Sequence, residues 1–199
     1  MKLYACAILP VMLLAAGVRS APAQWTVSAG LRAPRFTGGA EDVGTRRSLR
    51  PYRPTQIEIA VGRQVGRIGV GLRVSHASSS LALEGSDGLA AVKDALSYYG
   101  IQPELTVPVA RVGPEAQLHL YGAPLIEVWK LPDAGSRTRV GIAAGAGLDM
   151  NLGGRWRGVL RAGGAVTPRS PFTRDDLEPS LEPRTLWRRE VSGALAFRL

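Results

Sequence analysis

The chain has 199 residues, with 25 Lys or Arg against 16 Asp or Glu, a net charge of +9, 45% hydrophobic residues and a single cysteine. That length suits one domain, and so much apolar content in a modestly charged chain excludes a disordered polyelectrolyte. Composition places the chain among proteins that fold or insert, and names no activity.

Residues 1–23 read as a secretory leader. Met1 and Lys2 form a short positive region, residues 3–18 are an apolar stretch too short for a confident span, and Ala21-Pro22-Ala23 is a small-x-small cleavage site before Gln24. Cleavage there removes Lys2, Cys6 and Arg19, and leaves residues 24–199 as one domain of 176 residues at +7. A mature chain without cysteine has no disulfide, no thiolate metal site and no thiol nucleophile.

After Gln24 no window approaches the roughly 20 apolar residues of a spanning helix. Apolar and polar residues alternate instead, the period-2 signature of strands with two unlike faces. Trp25, Val27, Ala29 and Leu31 open the series. Ile57, Ile59 and Val61 then oppose Gln56, Glu58 and Gln64, and Ile68, Val70, Leu72 and Val74 oppose Gly69, Gly71, Arg73 and Ser75. Ile101, Leu105, Val107 and Val109 face away from Gln102, Glu104 and Thr106, as do Leu118, Leu120, Ile126 and Val128 from Gln117, His119, Tyr121 and Glu127. Val140, Ile142, Leu148, Met150 and Leu152 alternate with glycines, Asp149 and Asn151. Trp156, Leu160 and Val166 oppose Arg155, Arg157 and Arg161, and Val191, Leu195, Phe197 and Leu199 oppose Glu190, Ser192 and Arg198. Eight strands are predicted.

Their connections alternate too. Residues 33–54, 84–99 and 168–184 read as long loops, whereas 65–67, 113–115 and 153–154 are tight Gly or Pro turns. The segment 132–136 is the one short connection on the long-loop side. In the second loop Leu89, Val92, Leu96 and Tyr99 follow a helical spacing, with Asp87 as N-cap and Gly100 as stop, which predicts a short amphipathic helix over the mouth. Tyr98 and Tyr99 would then lie at a membrane interface. The pattern describes an antiparallel up-and-down barrel of the transmembrane kind.

Alternation alone does not say which face is outside, since a soluble lipid-binding barrel would turn its apolar face inward. Three features favour the apolar face outward. The apolar parity ends in Trp25, Trp156 and Phe197 on the turn side and Trp187 on the loop side, as rings at interfaces do. The polar parity mixes small residues with charges of both signs. The chain also ends inside its last strand, Val191-x-Gly193-x-Leu195-x-Phe197-x-Leu199.

With a leader followed by eight such strands, the whole mature chain resembles the small outer-membrane barrels of Gram-negative bacteria, the OmpA transmembrane domain and OmpX type. The ending Val191, Gly193, Leu195, Phe197, Leu199 resembles that family's insertion signal for the barrel assembly machinery, although the family usually closes on an aromatic where this chain has Leu199. The resemblance implies a cell outer-membrane location, extracellular loops and periplasmic termini.

An eight-stranded barrel is only wide enough for its interior side chains to fill it. The interior charge network expected here is Glu58, Arg73, Glu104, His119, Glu127, Arg139, Asp149, Arg157, Arg161, Arg188 and Glu190, with Tyr121 among them. Such charges need partners away from water. No catalytic set, cofactor or metal site is expected. His76, Ser78 and Glu84 resemble the His-Ser pair and acid of lipid A deacylases, but sit in mid-chain rather than near the C-terminus, so a lipid A-modifying enzyme is the alternative.

The basic excess concentrates in the first loop, where Arg35, Arg46, Arg47, Arg50 and Arg53 face only Glu41 and Asp42. Bidentate Arg contacts suit the phosphates of lipid A, so lipopolysaccharide and outer-membrane lipids are the expected partners. On the turn side Arg63, Arg67, Arg111, Arg155 and Arg198 are placed to snorkel to inner-leaflet phosphates. Nucleic acid is not expected, because no aromatics interleave a basic stripe. The reading is a monomeric structural or surface-interaction barrel, closed to solutes.

Overall fold

A computed structural model describes residues 25–42, 44, 47–85, 88–131 and 135–199. The leader expected over residues 1–23 lies outside them, as do Arg46 and most of the 132–136 connection. In chain order the strands are β1 (Trp25–Thr37), β2 (Ala40–Asp42), β3 (Arg47–Val65), β4 (Ile68–Gly85), β5 (Gly88–Val112), β6 (Ala116–Leu131), β7 (Gly135–Gly153), β8 (Trp156–Thr167), β9 (Glu182–Pro183) and β10 (Leu186–Arg198).

Leaving aside the short β2 and β9, eight long strands pair antiparallel with their neighbours, and β1 pairs with both β3 and β10, so the sheet closes into a barrel. Closure leaves no unpaired edge around the wall, the condition for a sheet to stand in lipid. At the tight-turn end Gly66 (φ 61) and Gly113 (φ 71) adopt left-handed backbone that only glycine takes without strain. At the other end β2 pairs with both β3 and β9 and ties the first loop to the last.

The partition of side chains is inverted relative to a water-soluble fold. Glu58 is 1% exposed while its neighbours Ile57 and Ile59 are 59% and 54% exposed. The same inversion runs round the wall: Leu31, Leu72, Leu105, Leu120, Ile142, Leu160 and Val191 are exposed, while Arg32, Arg73, Glu104, His119, Glu127, Arg188 and Glu190 are buried. In water such an apolar belt would forgo about 25 cal/mol for each Å² left uncovered. Trp25 and Trp156 stand at its turn-side edge and Trp187 beyond its other edge, all outward, and Trp156 packs edge-on against Phe197 at 4.9 Å.

The loop side departs from expectation. Two of the three long loops are largely sheet: β1 and β3 run through most of residues 33–54, and β5 begins at Gly88, so residues 84–99 form the top of a tall β4–β5 hairpin. No helix forms there among the described residues. The backbone of 88–96 pairs with β4, from Gly85↔Gly88 through Leu81↔Val92 to Ser79↔Leu96. Between the last two pairs β5 advances four residues while β4 advances two. That bulge breaks the period of two and leaves a spacing that mimics a helix. Tyr98 is buried inside the barrel rather than at an interface, while Tyr99 faces out. Only residues 168–184 remain a long loop, with a 3-10 turn at Arg174–Asp176.

Candidate functional site

The inward face divides into three levels. Across the middle, eight charged side chains from seven strands form one uninterrupted alternating chain, with a salt bridge at every step. Arg161 donates both terminal nitrogens to Glu104 (2.6 and 2.8 Å), and Glu104 faces Arg73 at 3.5 Å. Arg73 meets Glu58 at 2.6 Å, and Glu58 meets Arg32 at 2.6 Å. Arg32 then reaches Glu190 at 3.0 Å, Glu190 meets Arg188 at 2.7 Å, and Arg188 meets Glu127 at 2.5 Å. Four arginines and four glutamates cancel. Neutral side chains join the layer, with Arg32 donating to Gln102 at 3.1 Å and Gln56 donating to Ser75 at 2.5 Å.

β7 contributes no member of this chain, and its small residues explain why. A Cβ on Gly147 would collide with His119 Nε2, and one on Gly163 in the neighbouring β8 would collide with the Tyr121 hydroxyl. These glycines make room for the two rings projecting from β6. Arg161 in turn lies over the Tyr121 ring, 4.9 Å from its centre.

Above the charges, toward the loops, the inward positions turn aromatic. Tyr98 and Trp129 stack at 4.4 Å, and Phe36 meets them edge-on at 6.0 and 5.9 Å. Ala77, Leu96 and Leu186 complete the ring of walls, and Phe172 and Leu181 of the last loop press on it from above. Trp129 Nε1 donates to Glu127 at 3.2 Å, which fastens this plug to the charged chain.

The last loop is latched over the plug. Arg137 forms a forked ion pair with Asp176 and donates to the Pro171 carbonyl at 3.2 Å. Arg139 donates to the Ser170 carbonyl at 2.5 Å, and the Ser170 hydroxyl donates to the Gly39 carbonyl at 2.7 Å. The Arg137 guanidinium, aided by the Thr173 N–H and hydroxyl, holds the Asp176 carboxyl down to about 2.

Below the charges, toward the tight turns, the interior opens into a cavity of about 350 Å³ lined by His119, Asp149, Arg157, Arg161 and Arg198 among small residues such as Ser28, Ala60, Gly71 and Ala194. His119 lies 3.7 Å from Asp149.

Of the residues expected inside, Glu58, Arg73, Glu104, Glu127, Arg161, Arg188 and Glu190 come together in the alternating chain. His119, Asp149 and Arg157 line the cavity instead. Arg139 is not part of the interior network, because β7 carries it past the plug to the loop. Arg198, expected to snorkel outward, shares parity with Ala196 and points into the cavity. Gln56 and Gln102, on the polar parity of Glu58 and Glu104, and Arg32, opposite in parity to Leu31, are further buried members that alternation places inward.

Among the rim arginines, Arg50 is held by Glu84 and donates to the Phe36 carbonyl at 3.1 Å, so it braces the first loop. Arg35, Arg47 and Arg53 are exposed. His76 and Ser78 lie on the outer wall: His76 stacks on Tyr99 at 4.5 Å, Ser78 pairs across strands with Ser97, and Glu84 is engaged by Arg50, so no relay joins the three.

No protein-family model matches the sequence, and no curated protein does. Solved structures do match in fold. Neisserial surface protein A, at 9% identity, superposes with a TM-score of 0.58 over 88% of this chain and 97% of that one. The outer membrane protein OprG from Pseudomonas aeruginosa, at 10% identity, gives 0.54 over 88% and 95%. A major outer membrane protein from Thermus thermophilus, at 15% identity, gives 0.51 over 89% and 99%. The chain has the fold of the small eight-stranded outer-membrane barrels.

Proposed function

We propose that this protein is an outer-membrane barrel with a structural or surface-interaction role, closed to solutes and without enzymatic activity. The observation that carries the reading is the inverted partition: Glu58, 1% exposed, beside Ile57, 59% exposed, repeated round a closed wall. A soluble lipid carrier needs the reverse arrangement. The resemblance of the fold to outer-membrane proteins supports the location, and the loops then face the cell exterior with the termini in the periplasm. The packed plug above the layer of paired charges supports a barrel closed to solutes. Val191, Gly193, Leu195, Phe197 and Leu199 serve as the signal for the assembly machinery, and the exposed first-loop arginines, Arg35, Arg47 and Arg53, with Arg46, meet the phosphates of lipopolysaccharide. The barrel works as a monomer.

Cell fractionation tests this directly. The mature chain is expected in the outer membrane as a species whose gel mobility changes on heating. A product that stays soluble in the periplasm without detergent contradicts it.

A further inference from the structure

On the outer wall, Arg35 of β1 and Arg189 of β10 are direct cross-strand partners, and both are exposed. Like charges placed opposite one another on a sheet repel, and nothing in the wall offsets them. Arg35 donates only to the Pro34 carbonyl at 3.0 Å, and Arg189 has no side-chain partner among the described residues. On the other flank of β1 the β1–β3 ladder ends at Arg32↔Gln56, and Arg53, at φ 43 within the irregular stretch between Tyr52 and Thr55, lies beyond that end with its side chain exposed. Arg53 rests over its neighbour Tyr52, 5.1 Å from the ring centre, and likewise meets no carboxylate. Among the described residues, the outward positions of β1, β8 and β10 carry no acidic side chain.

Their height is defined by the ladder. One outward step below the Arg35–Arg189 pair stand Ala33 and Val191, the upper limit of the apolar belt, and one step above stand Thr37 and the exposed Trp187. Each outward step is about 6.7 Å along the strand. The guanidinium groups therefore lie where acyl chains give way to headgroups, beside an indole that prefers the same level.

We infer that the Arg35–Arg189 pair, with the exposed Arg53 beyond the end of the β1–β3 ladder, forms a lateral binding site for the phosphates of lipid A, in which a bisphosphorylated headgroup supplies the counter-charge that the protein withholds. Arginine forks match phosphate oxygens in pairs, and two or three unpaired guanidinium groups call for more than the single negative charge of a phospholipid headgroup. The inference rests on the outer-membrane reading with loops outside. It moves the main contact from the loop, where Arg50 is already engaged, to the barrel wall, and it adds Arg189, which lies far from the first loop in sequence.

The test is native mass spectrometry of the folded protein in detergent, titrated with bisphosphorylated lipid A, dephosphorylated lipid A and phosphatidylglycerol. The unchanged protein is expected to retain bisphosphorylated lipid A at least tenfold more strongly than either of the others. The pair R35A/R189A should abolish that preference, and R35K/R189K should restore part of it, with the heat-modifiable band reporting that both variants fold. If the unchanged protein shows no preference for bisphosphorylated lipid A, the reading of lipopolysaccharide as partner falls and the site with it. If the preference persists undiminished in R35A/R189A, the partner stands but this site is overturned.

Discussion

The two halves of the barrel interior differ in how completely they are filled. Toward the loops the inward positions are Phe36, Tyr98, Trp129 and Leu186, whose rings and branches meet across the axis and exclude water. Toward the tight turns the small Ser28, Ala60, Gly71, Ala194 and Ala196 stand opposite the longer His119, Asp149 and Arg157, and a cavity of about 350 Å³ is left. The alternating chain of four arginines and four glutamates stands between them. A barrel of one width is thus a stopper at one end and a cup at the other, because apolar rings pack at the first and small and charged side chains alternate at the second.

Breaking the charged layer should cost most. Glu58 pairs with both Arg32 and Arg73, so Glu58→Leu takes one carboxylate from each of two buried guanidinium groups and leaves the layer with an uncompensated positive charge. A loss of about 3–5 kcal/mol is expected, read as a lower urea midpoint in vesicles, and an unchanged midpoint would mean that the layer is already hydrated. On the outside, Leu72→Arg puts a charge on the apolar belt and should lower stability by about 2–4 kcal/mol in the same assay.

The comparison of halves is sharpened by filling them. Ala77→Leu overpacks the plug and should destabilise by about 1–3 kcal/mol. The same change at Ala60 only fills part of the cup and should be nearly neutral, so equal penalties at the two sites would erase the distinction drawn here.

The smallest effect concerns the latch. Asp176 is held at about 2 when folded, against an ordinary aspartate value near 3.9. A depressed carboxyl contributes stability that is present above the ordinary value and is lost as pH falls through the folded one. Protease protection of residues 168–184 should therefore persist at neutral pH, decline below about pH 4 and be gone near pH 2. Asp176→Asn should remove the pH dependence.

The contrast between wall and mouth also explains what the sequence made legible. The wall was readable because a lipid-facing surface and a charged interior force strict alternation, so Ile57, Glu58 and Ile59 assign themselves. Partner choice was not, since it depends on how strands stagger: Glu104 meets Arg161, 57 residues away, a separation no local pattern encodes. Arg32 is less legible, because β1 shows its alternation only through the apolar parity of Trp25, Val27, Ala29 and Leu31. Trp129 shares parity with Glu127, so its inward place is legible from alternation alone. The hairpin top is illegible for a different reason: the bulge between Ser79↔Leu96 and Leu81↔Val92 breaks the period of two and leaves a helix-like spacing.

The claim that the interior is sealed by plug and charge chain, despite a water-accessible cup below them, is tested most directly by single-channel recording of the purified barrel in a planar bilayer. The account predicts a flat trace with no stable conductance step. A persistent ohmic channel from a correctly folded sample would contradict it.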